Sequence, residues 1–121
     1  MNTEQQVKNY DVLHSYLSQH GRSLTDRGIS RPGVGLDADK ATKFIQLLEA
    51  TQIPLYAIEV WRFSREERGR YSYDQNSSWP GTSPEDQDYG DALAALARAA
   101  LGPVDLVAFT FGIARTRTAA L

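Results

Sequence analysis

The chain has 121 residues, of which 41% are hydrophobic and 23% charged, and its formal net charge at pH 7 is −2. The small negative charge argues against a nucleic-acid binder that relies on bulk positive charge. The absence of cysteine excludes a disulfide framework, a thiolate zinc site and a cysteine nucleophile. A chain of this length and apolar content can bury one core, so we expect a single domain over residues 1–121.

Neither a targeting signal nor a membrane-spanning segment is expected. The N-terminal stretch MNTEQQVK lacks the apolar core of a secretory signal. The apolar run over residues 92–114 is interrupted by Arg98, Gly102, Pro103 and Asp105, which leaves pieces too short to cross a bilayer. We therefore expect a cytoplasmic protein without membrane contact.

The first part of the chain predicts a long helix followed by short irregular segments. Apolar residues at helical spacing predict a first helix over roughly residues 4–20, which ends at Gly21. Residues 23–29 are predicted to form one helical turn, with Gly28 able to take a left-handed cap. Residues 31–35 then form a turn-rich connection, which lacks the preceding strand and the spacing of a phosphate-binding loop.

A second helix leads directly into the central strand. The helix is predicted to begin at an N-cap, Asp37, and to end before Ile53 and Pro54. Residues 53–63 are rich in β-branched and aromatic side chains, which is typical of a central strand. Glu59 interrupts them, so we expect it at the sheet rim, paired with an arginine, or in a site. Strand alternation divides the apolar side chains between two faces, with Tyr56, Ile58 and Val60 on one and Leu55, Ala57, Trp61 and Phe63 on the other.

A hairpin and an irregular loop follow the central strand. Residues 64–69 are predicted to be the hairpin loop and residues 70–74 the returning strand, whose two tyrosines share one face. In the loop over residues 75–82, Trp79 is interpreted as an anchor that packs the loop onto the body, in preference to a binding hot spot.

The last elements are a helix and a strand. Ser83 is predicted to be the N-cap of the third helix, which Gly102 and Pro103 end. Its apolar stripe is Tyr89, Leu93, Leu96, Ala97, Ala100 and Leu101. As a crossover, this helix makes the final strand, residues 104–113, parallel to the returning strand and places it beside the central one. We therefore expect an α+β fold in which a small, mainly antiparallel three-stranded sheet packs with about three helices.

Catalytic chemistry has little support in the sequence. No serine lies in a nucleophile elbow, and both histidines are interpreted as structural, so neither a metal nor another cofactor is expected. Glu59 and Asp74 lie on adjacent predicted strands and could form an acid–base pair. Because most such acids are solvated or salt-bridged, we do not expect this pair to be catalytic.

The charge pattern bears more directly on function. The acids Glu85, Asp86, Asp88 and Asp91 form a block without an intervening base. On residue types alone, helix-dipole complementation and solvation explain them best. A local acidic surface beside exposed aromatic groups would also suit a basic protein partner. The hairpin arginines Arg62, Arg65, Arg68 and Arg70 form a contrasting basic end, or pair internally with Glu59, Glu66 or Glu67.

Several motifs follow one another in an order seen in a known family. They are GRSLTDRGI at residues 21–29, a helix with alanine and leucine stripes, IPLYAIEVW at residues 53–61, YSYD at residues 71–74, then Trp79 and an acidic helix start with Tyr89. Over roughly residues 20–100 this order resembles the immunity protein 40 family of bacterial polymorphic toxin systems. The resemblance implies a non-enzymatic protein that binds and blocks a cognate toxin, protecting the producing cell or its siblings.

The resemblance and the charge pattern together predict a surface that contacts the toxin. We predict that it contains Glu59, Tyr71, Tyr73, Asp74, Trp79, Glu85, Asp86 and Asp88. One alternative is a small enzyme or ligand-binding domain with a pocket near Glu59, Tyr73 and Asp74. Another is a structural or oligomerisation module whose apolar strands extend a sheet.

Overall fold

The computed structural model describes residues 3–66, 69–79 and 88–112, and within them three helices pack against a three-stranded antiparallel sheet. In chain order the elements are α1 (Thr3–His20), β1 (Arg22–Ser23), a 3-10 turn (Thr25–Arg27), β2 (Val34–Gly35), α2 (Ala38–Thr51), β3 (Leu55–Ser64), β4 (Arg70–Tyr73), α3 (Tyr89–Ala99) and β5 (Leu106–Phe111). The predicted α+β class is confirmed. The additional two-stranded sheet of β1 and β2 escaped prediction because two residues are too few to show alternation.

β3 is the central strand of the sheet, whose order is β4-β3-β5. It pairs antiparallel with both neighbours, so β4 and β5 run parallel to each other with β3 between them. Trp61 lies opposite Tyr73 on one side and opposite Leu106 on the other. The predicted crossover topology is therefore correct.

A bulge near the start of β3 changes which side chains share a face. Leu55 lies opposite Phe111 and Ala57 opposite Thr110, so β3 holds one extra residue there. An extra residue reverses strand alternation, and Leu55 accordingly packs in the same core as Ile58. The prediction that Leu55 shares a face with Ala57 is wrong for this reason.

The helices cover one face of the sheet and form the main core with it. Asp37 caps α2 as predicted, because its Oδ1 accepts a hydrogen bond from the Lys40 amide at 3.0 Å. Phe44 of α2 is fully buried, and its ring centroid lies 4.9 Å from that of Phe109 on β5. Burying each large apolar side chain stabilises the fold by about 1.5–3 kcal/mol. The predicted inward stripe of α2 is confirmed at Ala41, Phe44, Ile45 and Leu48.

The segment between α1 and α2 covers part of the opposite face. Leu24 and Ile29 pack on Leu106 and form a second, smaller core with it. Gly28 has a φ of 77°, which confirms the predicted left-handed cap of the 3-10 turn. At Gly35 a Cβ would lie 3.0 Å from atoms of both Leu24 and Leu106, so the close approach of β2 to this core favours glycine.

The third helix begins later than the sequence predicts. Its N-cap is Asp88, whose backbone φ of −134° and ψ of 87° are not helical. A helix running without interruption from Ser83 is therefore excluded. Ser83 itself lies in residues 80–87, outside the described residues.

The apolar stripe of α3 also differs from the prediction at its C-terminal end. The buried residues of the helix are Ala92, Leu96 and Ala99, while Ala97 and Ala100 are exposed. The helix ends at Ala99, and Ala100 takes a left-handed conformation with a φ of 48°. An alanine-rich segment contains small apolar residues on every side, so periodicity alone could not identify its inward face.

Candidate functional site

Four aromatic side chains form two cross-strand pairs on the sheet face opposite the helices. Trp61 lies opposite Tyr73 with ring centroids 5.4 Å apart, and Phe63 lies opposite Tyr71 with centroids 5.2 Å apart. Such pairs contribute about 0.5–1.5 kcal/mol each beyond area burial. We call Trp61, Phe63, Tyr71 and Tyr73 the aromatic face. The two predicted contact tyrosines lie together on it.

The aromatic face packs in part against the smaller core and stays partly exposed to solvent. Trp61 and Tyr71 pack against the smaller core, and the Tyr71 hydroxyl donates a hydrogen bond to the Val104 carbonyl at 2.7 Å. Tyr73 keeps 48% of its surface exposed and Val104 keeps 49%. The rings are thus held in position while apolar surface remains open near the β4 side of the sheet.

Glu59 lies on the same face, two residues before Trp61. Its Oε2 accepts a hydrogen bond from Arg31 Nε at 3.1 Å, and its Oε1 accepts one from Trp61 Nε1 at 3.3 Å. Of the possibilities left open by the sequence, pairing with an arginine is the one observed. The partner is Arg31 of the connection before β2 and not a hairpin arginine. The carboxylate therefore orients the Trp61 indole and holds residue 31 against the sheet.

A cleft of about 370 Å³ lies beside the aromatic face, where the loop after β4 passes the first half of β3. Its walls are formed by Ala57, Ile58, Glu59, Tyr73, Gln75, Ser78 and Trp79. Three of the predicted site residues, Glu59, Tyr73 and Trp79, thus border one depression. Asp74 does not.

Asp74 belongs to a different cluster, on the helix side of the sheet. Its Oδ2 accepts a hydrogen bond from Arg62 Nε at 3.0 Å, and its Oδ1 accepts one from the Ser77 amide at 3.3 Å. Adjacent positions on a strand project to opposite faces, which separates Asp74 from Tyr73. Glu59 and Asp74 therefore do not form an acid–base pair, and the pocket predicted near them lacks Asp74.

The Arg62 guanidinium connects four segments of the chain. Besides Asp74, its Nη1 donates to Asp105 Oδ2 at 3.2 Å and its Nη2 donates to Ser77 Oγ at 3.1 Å. It also donates to the carbonyl groups of Ala99 and Ala100 at the end of α3. Carbonyl groups at a helix C-terminus carry partial negative charge, so a cation there is stabilising.

Asp105 completes this cluster from the start of β5. It is 6% exposed, and its two oxygens accept hydrogen bonds from the Phe63 amide at 2.9 Å and the Gly102 amide at 2.8 Å. The sequence predicts Arg62 either at a basic end of the hairpin or paired with Glu59, Glu66 or Glu67, whereas its carboxylate partners are Asp74 and Asp105. An acid entering an apolar strand was the available signal, because a buried carboxylate requires a cationic partner.

Trp79 is the loop anchor that the sequence predicts. It exchanges backbone hydrogen bonds with Ile58 at 2.8 and 3.0 Å, and its Nε1 donates to Asp91 Oδ2 at 2.8 Å. Only 7% of the residue is exposed. The indole packs in the main core and offers little surface to another protein, and direct contact of Trp79 with a partner stays a prediction.

The acidic block is only partly within the described residues. Asp88 is exposed, and its Oδ1 accepts a hydrogen bond from the Asp91 amide at 2.8 Å, which caps α3. Asp91 lies in the first turn, where an acid complements the helix dipole. Glu85 and Asp86 lie in residues 80–87, outside the described residues. Their predicted contact with a partner stays a prediction.

Comparison of the chain with protein-family models, curated proteins and solved structures gives no match. Within residues 3–66, 69–79 and 88–112, no helix has the length and apolar character needed to cross a bilayer. The same stretches contain no group of three or more histidine or acidic side chains arranged to hold a metal ion.

Replacing Arg62 tests whether its cluster supports the fold. We expect Arg62→Leu to lower the free energy of unfolding by about 3 kcal/mol, because Asp105 would stay buried without its cation. Arg65→Leu is the matched control, since Arg65 is exposed at the hairpin turn, and it should change stability by less than about 0.5 kcal/mol. Urea denaturation measures both; equal losses would show that the Arg62 contacts contribute nothing specific.

The pKa of Asp74 predicts a defined acid sensitivity. Hydrogen bonds from Ser77 and the Arg62 guanidinium lower the pKa of the carboxyl in the folded protein. The resulting stabilisation is present above the unfolded pKa of about 3.9 and is lost as pH falls through the folded pKa. We expect stability to fall more steeply below about pH 4 in the natural chain than in Asp74→Asn. Parallel stability profiles of the two proteins from pH 2 to 6 would contradict this assignment.

Proposed function

We propose that the chain is an immunity protein that binds and neutralises a cognate bacterial toxin in the cytoplasm of the producing or a sibling cell. The observation that carries this proposal is the aromatic face, where ordered, partly exposed rings adjoin the Glu59 carboxylate. Tyrosine and tryptophan are enriched among residues that dominate protein–protein binding energy. The sequence resemblance to immunity protein 40 supports the same function.

The geometry revises the proposed contact surface. Its centre is the aromatic face together with Glu59, and exposed Asp88 lies on another element, at the start of α3. Asp74 and Trp79 act indirectly, by holding the loop after β4 in place. Glu85 and Asp86 stay in the proposal on the strength of the sequence alone.

The aromatic face suits a protein partner better than single-stranded nucleic acid. Nucleic-acid platforms need free ring faces for base stacking and a positively charged groove along the backbone. Here the rings pack against each other at 49° and 58°, and they adjoin the Glu59 carboxylate, which pairs with Arg31. The chain also carries a net charge of −2. A polypeptide partner requires neither free ring faces nor a positively charged groove.

The cleft beside the face favours a second candidate, a small enzyme or ligand-binding domain. Its volume of about 370 Å³ falls within the usual range of ligand pockets, about 300–1,000 Å³. Both oxygens of Glu59, however, already accept hydrogen bonds from Arg31 and Trp61. We therefore place this function second. Substrate turnover abolished by Glu59→Gln would reverse the order.

Removing one exposed ring tests the proposed function. Co-expression of the chain with the toxin domain encoded beside it should restore growth, and the two proteins should purify together. We expect Tyr73→Ala to weaken toxin binding at least about tenfold, because exposed aromatic anchors are frequent hot spots. Ser72→Ala is the matched control, since Ser72 is exposed on the other face of the same strand. Equal affinity of both variants would remove the aromatic face from the interface, and failure to restore growth would remove the function.

The charge at Asp88 provides an independent test. Asp88→Asn keeps a side-chain oxygen that can cap α3 while removing the negative charge. We expect it to weaken toxin binding about two- to fivefold at low salt and less at high salt, because exposed charges are screened. Asp11→Asn removes an exposed acid from α1 and should leave affinity unchanged. Affinities measured by calorimetry at two salt concentrations would show no difference from the natural chain if Asp88 lies outside the contact.

A further inference from the structure

The backbone edges of the three-stranded sheet differ in how they are covered. Outside β5, Leu36 and Val107 exchange two hydrogen bonds, both 2.8 Å long. Beyond the end of β4, Ile58 and Trp79 exchange bonds of 2.8 and 3.0 Å on the other side of β3. β4 itself is the last strand on that side. In the part of the chain that the structure describes, its outer edge has no backbone partner.

The register of β4 shows which groups this edge presents. The Asp74 amide donates to the Val60 carbonyl at 2.8 Å, and Ser72 lies opposite Arg62 in the same ladder. In an antiparallel pair, alternate residues direct their amide and carbonyl groups towards the neighbouring strand. The amide and carbonyl groups of Tyr71 and Tyr73 therefore point outward. They form a short row of donors and acceptors directly beside the aromatic face.

We infer that an extended segment of the partner protein pairs with β4 and adds a fourth strand to the sheet. This inference rests on the proposed function, in which the partner is a toxin. Strand addition uses main-chain hydrogen bonds for affinity and alternate side chains for specificity. β4 has neither a proline nor a bulge, two devices that protect natural strand edges from pairing.

The side chains of β4 define the chemistry of the added strand. On one face, an apolar side chain would pack beside Tyr73, which is 48% exposed. On the other face lies Arg70, which is exposed and forms no ion pair with any described residue. Opposite charges on neighbouring strands stabilise pairing, so an acidic residue suits the position beside Arg70. The occupant is thus an extended segment with apolar residues on one face and an acid on the other.

Two substitutions at one position separate backbone pairing from side-chain contact. Tyr73→Ala and Tyr73→Pro both remove the ring, but only proline also removes the outward amide, and that amide makes no bond to β3. Binding to the neighbouring toxin domain should be about fivefold weaker for Tyr73→Pro than for Tyr73→Ala, as expected for one lost hydrogen bond. Equal affinity of the two variants would overturn strand addition. Circular dichroism of both variants checks that they fold.

Amide hydrogen exchange on the natural chain gives a measurement that does not depend on the folding of a variant. The outward amides of Tyr71 and Tyr73 should exchange at least about tenfold more slowly in the toxin complex than in the free chain, because pairing removes them from water. The amide of Ser72, which already faces β3, is the internal control and should change less. Unchanged exchange at both tyrosines would overturn the inference.

The binding, exchange and growth experiments together distinguish failure of strand addition from failure of the proposed function. If the natural chain neutralises the toxin while both tests of the edge fail, only strand addition is lost. If the natural chain neither binds the toxin nor restores growth, the proposed function is lost, and the pairing of a toxin strand with β4 is lost with it.

A second copy of this chain is the other possible occupant of the β4 edge. Dimerisation of the isolated chain that Tyr73→Pro abolishes and Tyr73→Ala does not, seen by light scattering, would assign the edge to self-association and overturn pairing with a toxin.

Discussion

The arrangement of the sheet and its surrounding loops depends on one guanidinium group. Arg62 accounts for the buried carboxylate of Asp105, the loop that Asp74 begins, and the carbonyl groups that end α3. The buried Asp105 carboxylate in particular would be costly to enclose without a donor. Because all of them face the same cation, β3, the loop after β4, α3 and β5 have one mutually compatible position. The contacts of Arg62 on the helix side of the sheet therefore stabilise the fold.

Strand alternation then leaves the other side available for a different purpose. Trp61 and Phe63 flank Arg62 in sequence but project to the opposite face, where they meet the tyrosines of β4. The arginine cluster and the aromatic face are thus separated by the thickness of one strand. A substitution on the aromatic face can therefore leave the ion pairs of Arg62 undisturbed.

Local signals accounted for most elements, while contacts between distant residues did not emerge from the sequence. The cap at Asp37, the inward stripe of α2, the hairpin and the shared face of Tyr71 and Tyr73 follow from short-range spacing. The bulge next to Leu55 leaves no compositional mark, and it reversed the predicted face of that residue. Arg62 and Asp105 are 43 positions apart, so their pairing required the topology as well as the residue types.

The central position of β3 has a consequence for how the chain acquires its structure. Its partner β4 begins at Arg70, soon after β3 ends at Ser64, whereas its partner β5 begins only at Leu106, after α3. Local pairs close at small entropic cost, and distant pairs close slowly. During synthesis on the ribosome, the hairpin of β3 and β4 can therefore form while the β5 side of β3 is still bare. The β5 edge of β3 stays unpaired until residues 106–111 emerge and pair with it.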